Sequence, residues 1–106
     1  MIIVLWENVI MKYIVNTTWK HENKIDWNKM DQAMDILRGE GQPSEEVYWF
    51  EIDSHTHGAV SVFPSEESYK SHIAKLTEMR KSSSRDMKIQ MDFEAHGPAR
   101  VKLTNK

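Results

Sequence analysis

The sequence predicts an α+β domain of order β-α-β-β-α-β, a four-stranded antiparallel sheet with two helices on one face. Three observations predict it. Four segments carry apolar residues at a two-residue period, and two segments between them carry apolar residues at helical spacing. Gly, Pro, Ser and Asp punctuate the boundaries. Two right-handed crossovers then place both helices on the same side and give the spatial strand order fourth, first, third, second.

Lys12 to Lys20 reads as the first strand. Tyr13, Val15, Thr17 and Trp19 share one face, and Ile14, Asn16 and Thr18 the other. Large or β-branched side chains on both faces suit a central strand. His21 to Lys24 is a polar loop, and Asp26 can accept a bond from a free N–H at the start of a helix. Trp27, Met30, Ala33, Met34 and Leu37 then form one apolar stripe, and Gly39 fits the left-handed position that closes a helix. Glu40 to Glu45 is a loop.

Val47 to Asp53 is the second strand, with Tyr48, Trp49, Phe50 and Ile52. Ser54-His55-Thr56-His57-Gly58 reads as a hairpin turn, and Ala59 to Phe63 as the returning strand. Pro64-Ser65-Glu66-Glu67 signals a helix start, because Ser65 can cap and two carboxylates meet the positive end of the helix dipole. Tyr69, His72, Ile73, Leu76 and Met79 line one face of that helix, and Ser82 to Asp86 is expected to break it. Met87 to Ala95 is the last strand, with Met87, Ile89, Met91 and Phe93 expected on one face. Arg100 to Leu103 suggests a short extra strand.

Composition bounds the partners. A chain of 106 residues supports one core, so residues 11–106 read as a single domain. Residues 1–10 open on an apolar run and read as an N-terminal extension or an extra edge strand, with Met11 as an alternative natural start. That run is far short of the roughly 20 apolar residues of a membrane span and lacks the basic start and cleavage site of a secretory signal. No membrane association is expected, and cytoplasm is the default location. A net charge of −2 provides no broad positive field, so no nucleic-acid partner is expected. With no cysteine, disulfides, thiolate catalysis and cysteine-held metals are excluded. No Gly-rich phosphate loop and no Gly-x-Ser-x-Gly elbow occurs, so no cofactor is expected.

With both helices on one face, the other face of the sheet carries several large apolar side chains. That is more apolar surface than a soluble monomer ordinarily exposes, and pairing of two copies through these faces would cover it.

The element order, the first strand beginning near Met11, the strand–turn–strand from Val47 to Phe63 and the phrase Phe-Pro-Ser-Glu-Glu-Ser-Tyr over residues 63–69 resemble the dimeric α+β barrel superfamily. That superfamily has a ferredoxin-like fold and includes antibiotic-biosynthesis monooxygenase-like proteins and small bacterial and marine environmental proteins. The resemblance covers roughly residues 11–96 and rests on architecture. It implies a homodimer whose two sheets close into a barrel, and a cleft between helices and sheet that takes a small apolar or aromatic molecule. Some members act on such molecules without metal or flavin, and others bind haem.

Candidate site residues follow. His72 lies on the apolar face of the second helix between Tyr69 and Leu76, where an imidazole can orient a ligand or take its proton. The alternative is a half-buried histidine bonded to a carbonyl or to Tyr69. A ligand-binding set of Trp27, Met30 and Met34 from the first helix with Tyr69, His72 and Ile73 from the second is expected, since methionine adapts to irregular apolar shapes. Plain core packing is the competing reading. Asn16 and Thr18 on a central strand must be paired or face a cavity, and Trp19 joins them as a candidate. His55 and His57 form His-x-His, with His96 expected at the same end of the sheet and His21 at the opposite end. His55, His57 and His96 are candidate metal ligands, against an exposed polar turn. His72 or His96 are the possible haem ligands.

Three functions remain open. One is a dimer binding a fatty-acid-like or aromatic molecule. The second is a cofactor-independent monooxygenase-like enzyme using His72 with Asn16 or Trp19. The third is a stress-related structural dimer without a ligand.

Overall fold

The computed structural model describes residues 11–39 and 41–105; the predicted extension at 1–10 lies outside them. Six elements follow in the expected order: β1 (Tyr13–His21), α1 (Trp27–Gly39), β2 (Glu46–Asp53), β3 (Thr56–Phe63), α2 (Glu66–Met87) and β4 (Ile89–Pro98). The strands form one antiparallel sheet in the order β2-β3-β1-β4, which is the ferredoxin-like arrangement.

The alternation along β1 separates the two faces as expected. Tyr13, Val15, Thr17 and Trp19 are buried, while Ile14, Asn16 and Thr18 are only half-buried on the open side. The core forms where Tyr13, Val15 and Phe63 meet Tyr69 of α2, with Leu76 beside them. Phe63 is 2% exposed, and its ring meets Tyr69 edge-on at 5.4 Å. Arg80 of α2 bonds Glu94 of β4 at 2.6 Å and ties the helix to the sheet.

Helix ends follow capping chemistry. Asp26 accepts from the amides of Asn28 and Lys29 at 3.0 and 3.3 Å. Ser65 accepts from the Ser68 amide at 3.1 Å, with Glu66 and Glu67 in the first turn. Ser65→Ala is expected to cost about 1 kcal/mol in urea unfolding, and Ser65→Asp to keep most of it. At the far end of α1 the left-handed residue is Gly41 (φ +66°); Gly39 is still helical.

Four further expectations are corrected. Ser82 to Asp86 do not break α2, which continues to Met87 and stops at Lys88 in the left-handed conformation (φ 55°, ψ 51°). Serine is only a moderately poor helix former, so three in a row do not end a helix whose last turns keep a packed side. That side is supplied by Ser83 and Met87, both half-buried beside the space between helices and sheet. The hairpin turn is only Ser54-His55, and β3 already begins at Thr56, so His57 belongs to a strand and is buried. Residues 99–105 form no strand, and Val101 and Leu103 stand in solvent.

The fourth concerns β4. Trp19 pairs with Met91 and Thr18 with Phe93, so Asp92 is an extra residue in a bulge. Thr18 Oγ1 donates to the Asp92 carboxylate across it. The bulge reverses the parity of the strand. Ile89 and Met91 face the helices, Phe93 faces the open side, and Glu94 and His96 return beneath α2. Phe93 therefore does not share a face with Ile89 and Met91.

Candidate functional site

Helix α2 lies on the sheet, but α1 stands off from it: no Cα of α1 comes within 8 Å of a Cα in a strand or in α2. The space left between them is a cleft of two adjoining lobes, of about 520 and about 590 Å³. Thr17, Leu37, Ser61, Leu76, Met79 and Arg80 border both. The first lobe extends toward His72, Gln42, Met34 and Phe63, and the second toward Met30, Ala33, Trp19, Trp49, Ala59 and Ile89.

The walls follow from periodicity. Odd-numbered residues of β1, β2 and β3 look toward the helices and supply Val15, Thr17, Trp49, Ala59 and Ser61. Met34 and Leu37 come from the α1 stripe, and His72, Leu76 and Met79 from that of α2.

His72 is where its helical position predicts, half-buried and facing the first lobe, 6.4 Å from the Phe63 ring. It bonds neither a carbonyl nor Tyr69: its Nε2 is shut off from solvent without a partner. Gln42 Nε2, in the loop after α1, is in the same condition and borders the same lobe. Burial, and secondarily the Lys75 ammonium, lower the His72 pKa, so the ring is neutral at physiological pH.

The other expected site residues divide. Met34 borders the first lobe, and Met30 and Trp19 the second. Tyr69 is buried in the core, stacked on Tyr13 at 5.0 Å, and Ile73 is turned toward solvent. Trp27 meets the His57 ring edge-on at 6.4 Å rather than bordering the cleft. Asn16 and Thr18 lie on the open face of the sheet, opposite the cleft, so they cannot converge with His72 on one molecule within a chain.

The histidines are also rearranged. Antiparallel pairing brings the hairpin back beside the end of β1, so His21 is the neighbour of His57 and His96 is remote, paired with Val15. This reverses the expected placement and separates His96 from His55 and His57. Among the described residues no group of three or more His, Asp or Glu is positioned to hold a metal ion. His55 is exposed in the turn beside Ser54. His96 instead shares a 2.6 Å bond with the Tyr13 hydroxyl.

His21 Nε2 and His57 Nδ1 share a hydrogen bond of 2.6 Å. Trp19, Trp27 and Trp49 surround the His57 ring at 6.0–6.4 Å between ring centres. Burial, then the neighbouring His21, pushes His57 down to about 4, and burial also lowers His21. The pair is therefore neutral and can share only one proton along the bond. The parity of β1, continued two residues past Trp19, is the signal for His21. Gln42 carries no signal of its own, being a polar residue in a loop.

Compared with protein-family models and with characterised proteins, the chain matches none. No helix among the described residues is long and apolar enough to cross a membrane.

Proposed function

We propose that this protein is a homodimer, paired through the open sheet faces, that holds a small apolar or amphipathic molecule in the cleft between α1, α2 and the sheet. The observation that carries the binding reading is the cleft itself. Its walls mix Met, Leu, Trp, Val and Ala with polar side chains, and one of these, His72, has its Nε2 buried and unpartnered. A buried polar atom without a bond costs about 1–3 kcal/mol, which a ligand supplying that bond recovers. An apolar cavity with a few directed polar groups is the usual form of a small-molecule site.

Pairing rests on the opposite face. Tyr48, Phe50 and Phe93 are 43–58% exposed there, around Ile14, Val60 and Val62. The Phe50 ring lies across Gly58, where a Cβ would come within 2.2 Å of it, so the aromatic layer is continuous over the central strands. Asn16 Oδ1, in the middle of this layer, is buried without a partner, and the Asn16 amide of a second copy related by a two-fold axis supplies a donor of the right kind.

Native mass spectrometry of the purified protein tests both parts. The expected species is twice the chain mass, carrying a small adduct released on activation. Phe50→Glu is expected to convert it to a folded monomer that still takes up the adduct, since the substitution is remote from the cleft. A wild-type protein that sediments as a folded monomer at low micromolar concentration overturns pairing. A dimer that binds no member of a panel of aromatic and alkyl compounds overturns the binding reading.

A further inference from the structure

The two lobes of the cleft differ in chemistry. Of the three buried side-chain polar atoms without a partner among the described residues, two belong to residues that border the first lobe and none to a residue that borders the second. Gln42 Nε2 is a donor. His72 Nε2 is a donor when the neutral ring carries its proton there, and Arg80, on the shared wall, carries only donors. One Arg80 nitrogen is occupied by Glu94, and a guanidinium offers five N–H groups.

Two acidic residues, Glu45 and Glu46, also border this lobe. Glu45 is held by Lys12 and Glu46 is exposed at the start of β2, while Glu94 is held by Arg80. The second lobe is apolar at its floor, where Met30, Trp49, Ala59 and Ile89 meet, and its charged neighbours Lys75, Glu78 and Asp86 stand in solvent on α2.

We infer that the cleft binds an amphipathic monocarboxylate in one orientation, with the carboxylate in the first lobe accepting from Gln42 Nε2 and His72 Nε2 beside Arg80, and the alkyl chain in the second lobe. This deepens the binding reading above and rests on it. A carboxylate matches because it offers about four acceptor sites and no donor, so it satisfies both orphaned atoms and the spare Arg80 hydrogens together. A cationic head would find only Glu45, already held by Lys12, and the exposed Glu46, and would leave both orphaned donors unpaired. A neutral alcohol has a single uncharged oxygen and gains less beside Arg80, because hydrogen bonds to an ionised acceptor are roughly twice as strong as neutral ones.

The test is calorimetric titration of the full chain with decanoate, 1-decanol and decyltrimethylammonium. Decanoate is expected to bind at least tenfold more tightly than decanol, and the cation least tightly. Gln42→Leu and His72→Phe are each expected to lower decanoate affinity at least tenfold and decanol affinity by less, so that the preference for decanoate is abolished. Gln42 lies in a loop, so its variant keeps the test usable if the helical one fails to fold. Equal affinity for decanoate and decanol, or a preference that survives in Gln42→Leu, overturns the carboxylate assignment and leaves the apolar cleft standing. No binding of any of the three removes the underlying reading as well.

Discussion

Acidification from about pH 6.5 to about pH 4 is expected to remove about 3 kcal/mol of folding stability through His57 alone. The sign follows from where the proton can go. In the unfolded chain His57 titrates near its ordinary value of 6.5, whereas in the folded protein burial and His21 hold it down to about 4. Between those values the unfolded state takes a proton that the folded state refuses, so unfolding is favoured as pH falls. The contribution is intact above 6.5 and exhausted near 4. His21 is shifted in the same direction and adds to the slope.

Protonating both rings would place two positive charges across a 2.6 Å bond and turn an acceptor into a donor. The three tryptophans around His57 cannot solvate that charge as water does, and Trp27 anchors the start of α1 there. Urea unfolding at a series of pH values measures the slope. His57→Gln, which keeps a polar group for His21, is expected to be less pH-dependent across this window. Identical slopes in both proteins would refute the assignment to His57, because the carboxylates that also titrate near pH 4 are common to both.

The largest loss from a single truncation is expected at Phe63. Phe63→Ala should lower the free energy of unfolding by about 3–5 kcal/mol, the range for a fully buried aromatic that leaves a cavity. The ring is 2% exposed, meets Tyr69 edge-on and faces His72, so its loss removes packing from β3, β1 and α2 together. Phe63→Leu keeps most of the volume and should cost much less. The urea midpoint, read at constant m-value, separates the two. A Phe63→Ala protein within about 1 kcal/mol of wild type would mean that the cleft collapses onto the vacated space.

The fold is readable because its elements carry strong periods. The central position of β1 is read from large or β-branched side chains on both of its faces, and the strand order from two right-handed crossovers. The helix starts are equally plain, since Asp26 and Ser65 are capping residues immediately before apolar stripes. What escapes are features decided by pairing across the sheet. Nothing local marks Asp92 as an extra residue, because Met87 to Phe93 alternates cleanly as a string. His57 resembles part of a turn because Ser, His, Thr and Gly are all turn-tolerant, but its place is set by Trp19 opposite. His72 is found from helical spacing, whereas Gln42 becomes visible only once the loop after α1 closes over the lobe. Asn16 and Thr18 read as polar groups that either bond across the sheet or face a cavity; Thr18 bonds Asp92 across the sheet, and placing both in the ligand set follows from not knowing which row of β1 the helices cover.

The bulge at Asp92 bears on how relatives of this chain are to be found. A comparison that assumes an unbroken two-residue rhythm from Ile89 to Pro98 assigns every position after 92 to the opposite side of the sheet. Glu94, which holds Arg80, would then be matched to solvent-facing positions, and Phe93 to core positions. Profiles built for this fold should permit one unmatched residue at that point, so that the halves of the strand are scored against their own surroundings.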